Sequence, residues 1–437
     1  MRRHPFRALL IPLACSFLFA DAFASGPQTH NIQFVSGANG AAPTSTLISD
    51  SAGNLYGTTT EGGSAECNYH NSELDGCGTV FELSPPTTKG GHWTYAVLHE
   101  FHYATDGDFP YSSLLMDAAG NLYGTALKGG NGNPYGPGTV YELSPPAEAG
   151  GAWTFATLYV FQSSSSTDGA GPWGALVFDQ AGNLYGTTQI GGANSRGTVY
   201  ELSPPSATGG SWTETVLFTF PHAADGGYPL GGVILASDGS LYGTTSMDGF
   251  KNSTTCPGGC GTIFRLSRNA GGTWTGQALH SFEYTDGATP FSSLTYFKGS
   301  YYGTTSAGGP DNEGAVFQLT PNSGGSATFT TIFNFTFDNG GIPYAGVIFD
   351  QSGNLYGTTF AGGSGGSGTV YKLIPSSGGT WNETILASFS DSGNTPEIGL
   401  IGGLLLRNNQ LFGTTADCSG FDGTCDRSGY VYSITGF

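Results

Sequence analysis

The stretch Asn54-Leu55-Tyr56-Gly57-Thr58-Thr59 decides the fold, because it recurs along the whole chain. In-phase copies occupy residues 54–59, 121–126, 183–188, 240–245, 300–305, 354–359 and 410–415, reading NLYGTT, NLYGTA, NLYGTT, SLYGTT, SYYGTT, NLYGTT and QLFGTT. Their spacing runs from 54 to 67 residues. A period of this size marks a propeller or a solenoid and has to be read before any local feature.

Outward from each hexad, four strand signals repeat. A first strand follows a proline, as in Ser112 to Asp117, and an Asp-x-x-Gly turn (Asp117 to Gly120, Asp179 to Gly182, Asp350 to Gly353) leads into the hexad as second strand. A glycine-rich loop reaches a third strand such as Gly78-Thr-Val-Phe-Glu-Leu-Ser84, and a Pro-Pro or Gly-Gly turn precedes a fourth, such as Trp153 to Phe161. Period-2 alternation with β-branched and aromatic residues supports a strand each time. The last unit stops after its third strand, while residues 30–35 (HNIQFV) supply a lone strand of fourth-strand type. The expected fold is therefore all-β: a seven-bladed β-propeller of four-stranded blades, closed by the N-terminal strand completing the last blade. Closure removes the open edges that an array of sheets would expose.

Composition agrees with this reading. The 437 residues include 73 Gly and 23 Pro, yet 13% are aromatic, which is too much apolar bulk for a disordered chain. Only 10% are charged and the formal net charge is −19, so a nucleic-acid backbone or an anionic membrane surface is excluded as a partner. Residues 1–24 have the form of a secretory signal peptide: Arg2, Arg3 and Arg7, an apolar run from Ala8 to Ala20, and cleavage near Ala24 in Ala22-Phe23-Ala24. No later stretch is long and apolar enough for a membrane span. A secreted or periplasmic monomer is expected, with residues 25–437 forming one propeller domain.

The NLYGTT…GG…GTVF-L-P unit resembles the GloVer (Gloeo/Verruco) repeat, which occurs in tandem in secreted bacterial proteins, and the resemblance covers essentially all of residues 31–437. It implies a secreted propeller-like array and brings no established activity. Some relatives carry C-terminal surface anchors; here the chain ends within its last blade, so the resemblance implies no anchor.

Residues present in every blade are poor catalysts, since an active site needs one asymmetric constellation. The hexad tyrosines are expected to pack between blades, and Gly57 with its equivalents to leave room for a neighbouring sheet. A ligand would sit on one face, in the loops entering the first strand. Those loops carry Asp106, Asp168, Asp225 and Asp286, each followed by glycine, and the looser relative Asp338. Turn chemistry explains them, because Asp bonds nearby backbone N–H groups. The alternative is an acidic collar attracting Ca²⁺ or a cationic ligand, although no clustered calcium-loop motif is present. Beyond each turn stands a proline with a variable neighbour: Tyr111, Trp173, Leu230, Phe291, Tyr344 and, after Pro396, Glu397. Tyr228 precedes its own proline. These aromatics offer flat faces to sugar rings or peptide at the channel mouth, or serve as packing between blades.

Six cysteines pair inside second-to-third-strand loops as Cys67/Cys77, Cys256/Cys260 and Cys418/Cys425. An even count in an exported protein points to three local disulfides rather than to metal sites. His99 and His102 share an expected strand and would point to opposite faces. No G-x-S-x-G, H-E-x-x-H or phosphate-loop motif occurs, so neither catalytic residues nor a resident cofactor is assigned. The expectation is a secreted binding module for a glycan or other extracellular ligand, with a lyase or glycosidase at the channel mouth, or a structural surface protein, as alternatives. Convergence of the non-repeated acids Asp75, Asp108, Glu313, Glu397 and Asp422 would favour the enzyme.

Overall fold

The computed structural model describes residues 26–437 apart from 64–66, 68–75, 89, 149, 164–166, 208, 222–225, 250–253, 391–397 and 419–424; of 33–36, 38, 398, 417–418 and 425–428 it describes the backbone alone. The chain forms seven antiparallel sheets in a ring. In the first complete blade the order from the axis outward is β2 (Ile48–Ser49), β3 (Leu55–Thr59), β4 (Thr79–Ser84) and β5 (Thr94–Glu100). The hexad strands of the first six complete repeats are buried at every position, since neighbouring blades cover both of their faces. The fourth strands alternate exposed and half-buried residues, as expected at the outer rim.

The ring closes as the strand count requires. β1 (Gln28–Ser36) pairs antiparallel with Cys425–Thr435 and completes the last blade. That blade splits its innermost strand into Ile398–Gly399 and Leu405–Arg407. The first strands are shorter than the sequence suggests: only Leu115–Met116 of the expected Ser112–Asp117 run is in the ladder. Ser112 and Ser113 instead turn to the neighbouring blade, where the Ser113 hydroxyl accepts the Thr46 N–H and the Ser112 carbonyl accepts the Thr58 hydroxyl.

The two threonines of the hexad have separate tasks. The first reaches into the next blade, as Thr187 does to the Gly231 carbonyl at 3.0 Å, Thr304 to Ala345 at 2.8 Å and Thr358 to Gly402 at 3.1 Å. The same bond crosses the ring closure, from Thr414 to the Ser45 carbonyl at 3.2 Å. The second threonine bonds within its blade: Thr59 and Thr79 hydroxyls lie 2.9 Å apart, and Thr188 and Thr198 lie 2.8 Å apart. The hexad tyrosines pack across to the following blade, as Tyr56 does on Trp153 and Tyr123 on Phe178.

A left-handed residue before each proline sets where the chain turns toward the axis. Ala42, Phe109, Tyr228, Thr289 and Ile342 have φ between +51° and +57°, and Gly171 takes the same role. Phe109 shows why the strain is tolerated. Its N–H donates to Cys77 of the preceding blade, and its carbonyl accepts from Leu127 of its own. Both backbone groups are satisfied in that conformation, and the two bonds staple the blades together.

Candidate functional site: an axial funnel with an aromatic rim

The innermost segments approach so closely that the axis is a blind-sided funnel of about 270 Å³. Backbone fills its neck: a Cβ on Gly231 would clash with Ser292, and one on Gly232 with Ala175. The residue after each proline lines the funnel, one from every blade. Thr44, Tyr111, Trp173, Leu230, Phe291 and Tyr344 supply six of the seven positions. The seventh is Ile401, followed by Gly402-Gly403 as Leu230 is followed by Gly231-Gly232. The sequence pairing of Pro396 with Glu397 therefore misplaces this blade, because Leu400 stands in the proline's place; Pro396 and Glu397 themselves lie outside the described residues.

The rim is asymmetric. Tyr111 and Trp173 stack with ring centroids 4.6 Å apart and 10° between planes. Phe109 stacks behind Tyr111 at 6.2 Å, while Phe291 meets Tyr344 edge-on at 5.1 Å. Burial pushes the Tyr111 hydroxyl well above the usual phenol range, and the carboxylates of Glu61 and Asp108 push it further the same way. Tyr111 thus stays neutral. Tyr228, the residue before a proline, takes no place on the rim; it lies under the Arg196 guanidinium at 5.7 Å.

None of the described turn aspartates lines the funnel. Asp106 accepts the His102 N–H at 2.6 Å and meets His99 Nε2 at 2.8 Å. His102 lies beyond the end of β5, so both histidines converge on this carboxylate instead of opposing each other across a strand. Asp168 accepts from the Tyr159 hydroxyl and the Gln162 N–H, and Asp286 pairs with His280 at 2.9 Å. Asp338 is exposed, and its neighbour Asn339 does the turn's work by accepting the Thr336 N–H. Asp225 lies outside the described residues. Asp106, Asp168 and Asp286 are each engaged by groups of their own turn and the preceding strand.

Of the acids expected to test for a glycosidase, the two described ones lie at separate blade interfaces. Asp108 is buried between the first two complete blades, and Glu313 packs near Gly341 at another interface. Asp75, Glu397 and Asp422 lie outside the described residues. Two disulfides are formed, Cys67–Cys77 and Cys256–Cys260. Cys418 and Cys425 are partners in the backbone register, and their side chains lie outside the described residues. The sulfurs of Cys67 and Cys77 lie near a carboxylate oxygen of Asp108, but their mutual bond removes them as metal ligands.

Sequence reasoning missed two acids that are half-buried on fourth strands. Burial pushes the Glu214 carboxyl up to about 7, with Asp168 adding repulsion. Burial also lifts Glu383 to about 7, against an opposing hydrogen bond from Asn339. Both occupy an inward fourth-strand position that holds Phe155 or Phe329 in other blades, so a broken apolar pattern was the available signal.

The chain belongs to the Gloeobacter/Verrucomicrobia repeat family, whose repeat matches residues 18–257, 131–331 and 252–436. No curated protein matches it. Among solved structures it is similar to a putative 6-phosphogluconolactonase from Bacteroides uniformis, at 13% identity over 83% of this chain and 93% of that one, with a TM-score of 0.46. It is also similar to PorZ, a bacterial surface component of the type-IX secretion system of Porphyromonas gingivalis, at 12% identity over 90% of this chain and 47% of that one, with a TM-score of 0.47. A Trypanosoma rangeli sialidase matches at 11% identity over 93% and 58%, with a TM-score of 0.41. Likenesses at this level carry no argument about what the chain binds. No described helix is long and apolar enough to cross a membrane.

Proposed function

We propose that this protein is an exported binding module that takes a saccharide in its axial funnel. One observation carries the reading: the rim position, free to vary in every blade, is filled by the Tyr111/Trp173 stack and the Phe291/Tyr344 pair. Ligand pockets of this kind combine apolar walls with a few polar groups that fix orientation. The apolar face of a sugar ring fits against an indole or phenol face. The half-buried hydroxyls of Ser113, Ser292 and Ser293 on the lining supply the polar component. Among the described residues no carboxylate lines the funnel, so the reading built on paired catalytic acids draws no support from it.

Export rests on the signal-like residues 1–24 and on the disulfides, which persist in oxidising compartments. The test is a glycan array probed with the mature chain, Trp173→Ala and Tyr111→Ala, alongside reducing-sugar release. Binding lost in both variants without sugar release supports the module. Unchanged array profiles refute it, and sugar release would reassign the funnel to an enzyme.

A further inference from the structure

A second cavity, of about 310 Å³, opens beside the funnel between the loops of the second and third complete blades. Lys128, Asn131, Asn133, Tyr135, Gln162 and Gln189 supply its polar and aromatic lining. This lining differs in kind from the funnel's: four carboxamides, one ammonium and an aromatic ring. Tyr135 is 73% exposed, which leaves its ring accessible at the cavity's edge.

The loop is built to present these groups. The Asn131 side-chain oxygen accepts the Asn133 N–H at 3.2 Å, and that of Asn133 accepts the Tyr135 N–H at 2.9 Å. Their oxygens are thereby engaged in shaping the loop, and their NH₂ groups are the donors these lining residues can offer a ligand. Lys128 Nζ sits 4.8 Å from the Phe109 ring centroid and 6.0 Å from that of Tyr135. Cation–π contact fixes the ammonium without neutralising it. Arg196 and Arg265 are paired with Asp248 and Asp238, whereas no carboxylate lies within ion-pair range of Lys128 among the described residues.

The cavity and the funnel are joined by a continuous run of rings. Lys128 lies over Phe109, Phe109 stacks on Tyr111, and Tyr111 stacks on Trp173 at the funnel mouth. We propose that this cavity is a subsite for a carboxylated sugar residue of the glycan whose neighbouring unit rests on Trp173. The carboxylate meets the Lys128 ammonium, the sugar ring lies against Tyr135, and its hydroxyls accept from the side-chain amides. A single ammonium with neutral amide donors matches the one charge of a monoanionic carboxylate, and among the described residues the lining holds no second cation for a dianionic phosphate. The strongly acidic surface sharpens selection, since only a ligand that places its charge at Lys128 escapes repulsion.

The assignment rests on the funnel being a saccharide site, and the experiment separates the two. Mature protein is titrated with a disaccharide of one uronic acid linked to one neutral hexose, and with its methyl ester, which has the same skeleton without the charge. Wild type is expected to prefer the acid form by about tenfold, the worth of one hydrogen bond to a charged group. Lys128→Gln should abolish that preference, Lys128→Arg should restore most of it, and Tyr135→Ala should weaken both ligands. Trp173→Ala should weaken both ligands as well. Equal binding of acid and ester by wild type, or a preference that survives Lys128→Gln, overturns the subsite. Loss in the Lys128 and Tyr135 variants with Trp173→Ala unaffected would keep the subsite and overturn the funnel. Failure of both ligands to bind overturns the subsite, and the array then decides the funnel alone.

Discussion

Pro43, at the entry to the first complete blade, packs its ring against Gly429 in the third strand of the last. The same contact recurs around the ring, with Pro110 on Gly78, Pro172 on Gly138, Pro229 on Gly197, Pro290 on Gly261 and Pro343 on Gly314. In each pair one blade's proline occupies the space that a side chain would need in the blade before it. A Cβ on Gly78 would stand 2.7 Å from Pro110 Cδ, and one on Gly197 would stand 2.7 Å from Pro229 Cδ.

Gly429→Ala should therefore loosen the ring closure. The added methyl would meet both Pro43 and the Thr415 carbonyl, a backbone atom that cannot swing aside. Overpacking of this kind costs about 1–3 kcal/mol. Gly258→Ala, with nothing within 4 Å of the new methyl, should stay within about 0.5 kcal/mol of wild type. Urea unfolding of the two variants checks the contrast, and equal midpoints would refute it.

The Asp-x-x-Gly turns should set the acid limit of stability. Asp179 is partly desolvated, which raises its pKa. The side chain and backbone of Asn183, the Ala181 N–H and the Tyr185 hydroxyl outweigh that and hold it below the usual carboxylate range. Asp350 is held down by the same set around Asn354 and Tyr356. A carboxyl whose folded pKa is depressed contributes stability above its unfolded value, about 3.9, and loses it as pH falls through the folded value. Asp179→Asn with Asp350→Asn should lower stability at pH 7 and flatten the decline below about pH 4. Unfolding midpoints between pH 2 and pH 7 decide it; parallel acid limbs would count against the account.

The repeat was legible because each blade poses the same packing problem, so Gly57, Tyr56 and Thr58 recur wherever a neighbouring sheet, ring or carbonyl demands them. The rim was legible for a related reason. Trp173 and Tyr111 stand at a position fixed by the preceding proline, yet vary in identity, and variation inside a strict repeat points to a surface free of packing constraints. Where the proline was missing the register failed, and Ile401 was overlooked although Gly402-Gly403 mirrors Gly231-Gly232. The turn aspartates misled for the opposite reason. A side chain's direction depends on what lies behind it, and the His99 and His280 partners come from fourth strands about seven residues away. The Lys128 cavity was invisible in sequence, since its walls come from loops that neither share a length nor repeat.

Glu214 and Glu383 should give stability an opposite, neutral-range dependence. Both carboxyls sit near pKa 7 in the fold, above the unfolded value of about 4.3. Between these values the native state holds protons that the unfolded chain has released, so stability falls as pH rises. Their contribution is full below about pH 4.3 and lost by the time pH passes about 7. Glu214→Gln and Glu383→Gln should leave stability at pH 4 nearly unchanged and raise it at pH 8. Midpoints measured at both pH values check this; a variant weaker at pH 8 than wild type would show that the charged form is satisfied.

The last prediction concerns the third-strand aromatics that lie over the hexad glycines. Phe81 covers Gly57 with its ring edge, whereas Tyr141 and Tyr432 bring their hydroxyls over Gly124 and Gly413. Both tyrosines are fully buried, and neither hydroxyl has a protein partner among the described residues. Burial alone drives their pKa values far above the phenol range, so the groups stay neutral but still forgo hydrogen bonds that water would give. An unsatisfied buried hydroxyl costs about 1–3 kcal/mol, and part of that returns when the hydroxyl is removed without leaving a void. Three blades already hold Phe at this position, Phe81, Phe264 and Phe317, which shows that the site accepts the smaller ring. Tyr141→Phe and Tyr432→Phe should each stabilise the propeller by about 1 kcal/mol, and Phe81→Tyr should destabilise it by at least as much. Unfolding free energies of the three variants test the reasoning together. A loss of stability in the Tyr→Phe pair would mean that solution supplies the hydroxyls with partners, and that the polar group, not the ring, fixes the aromatic over its glycine.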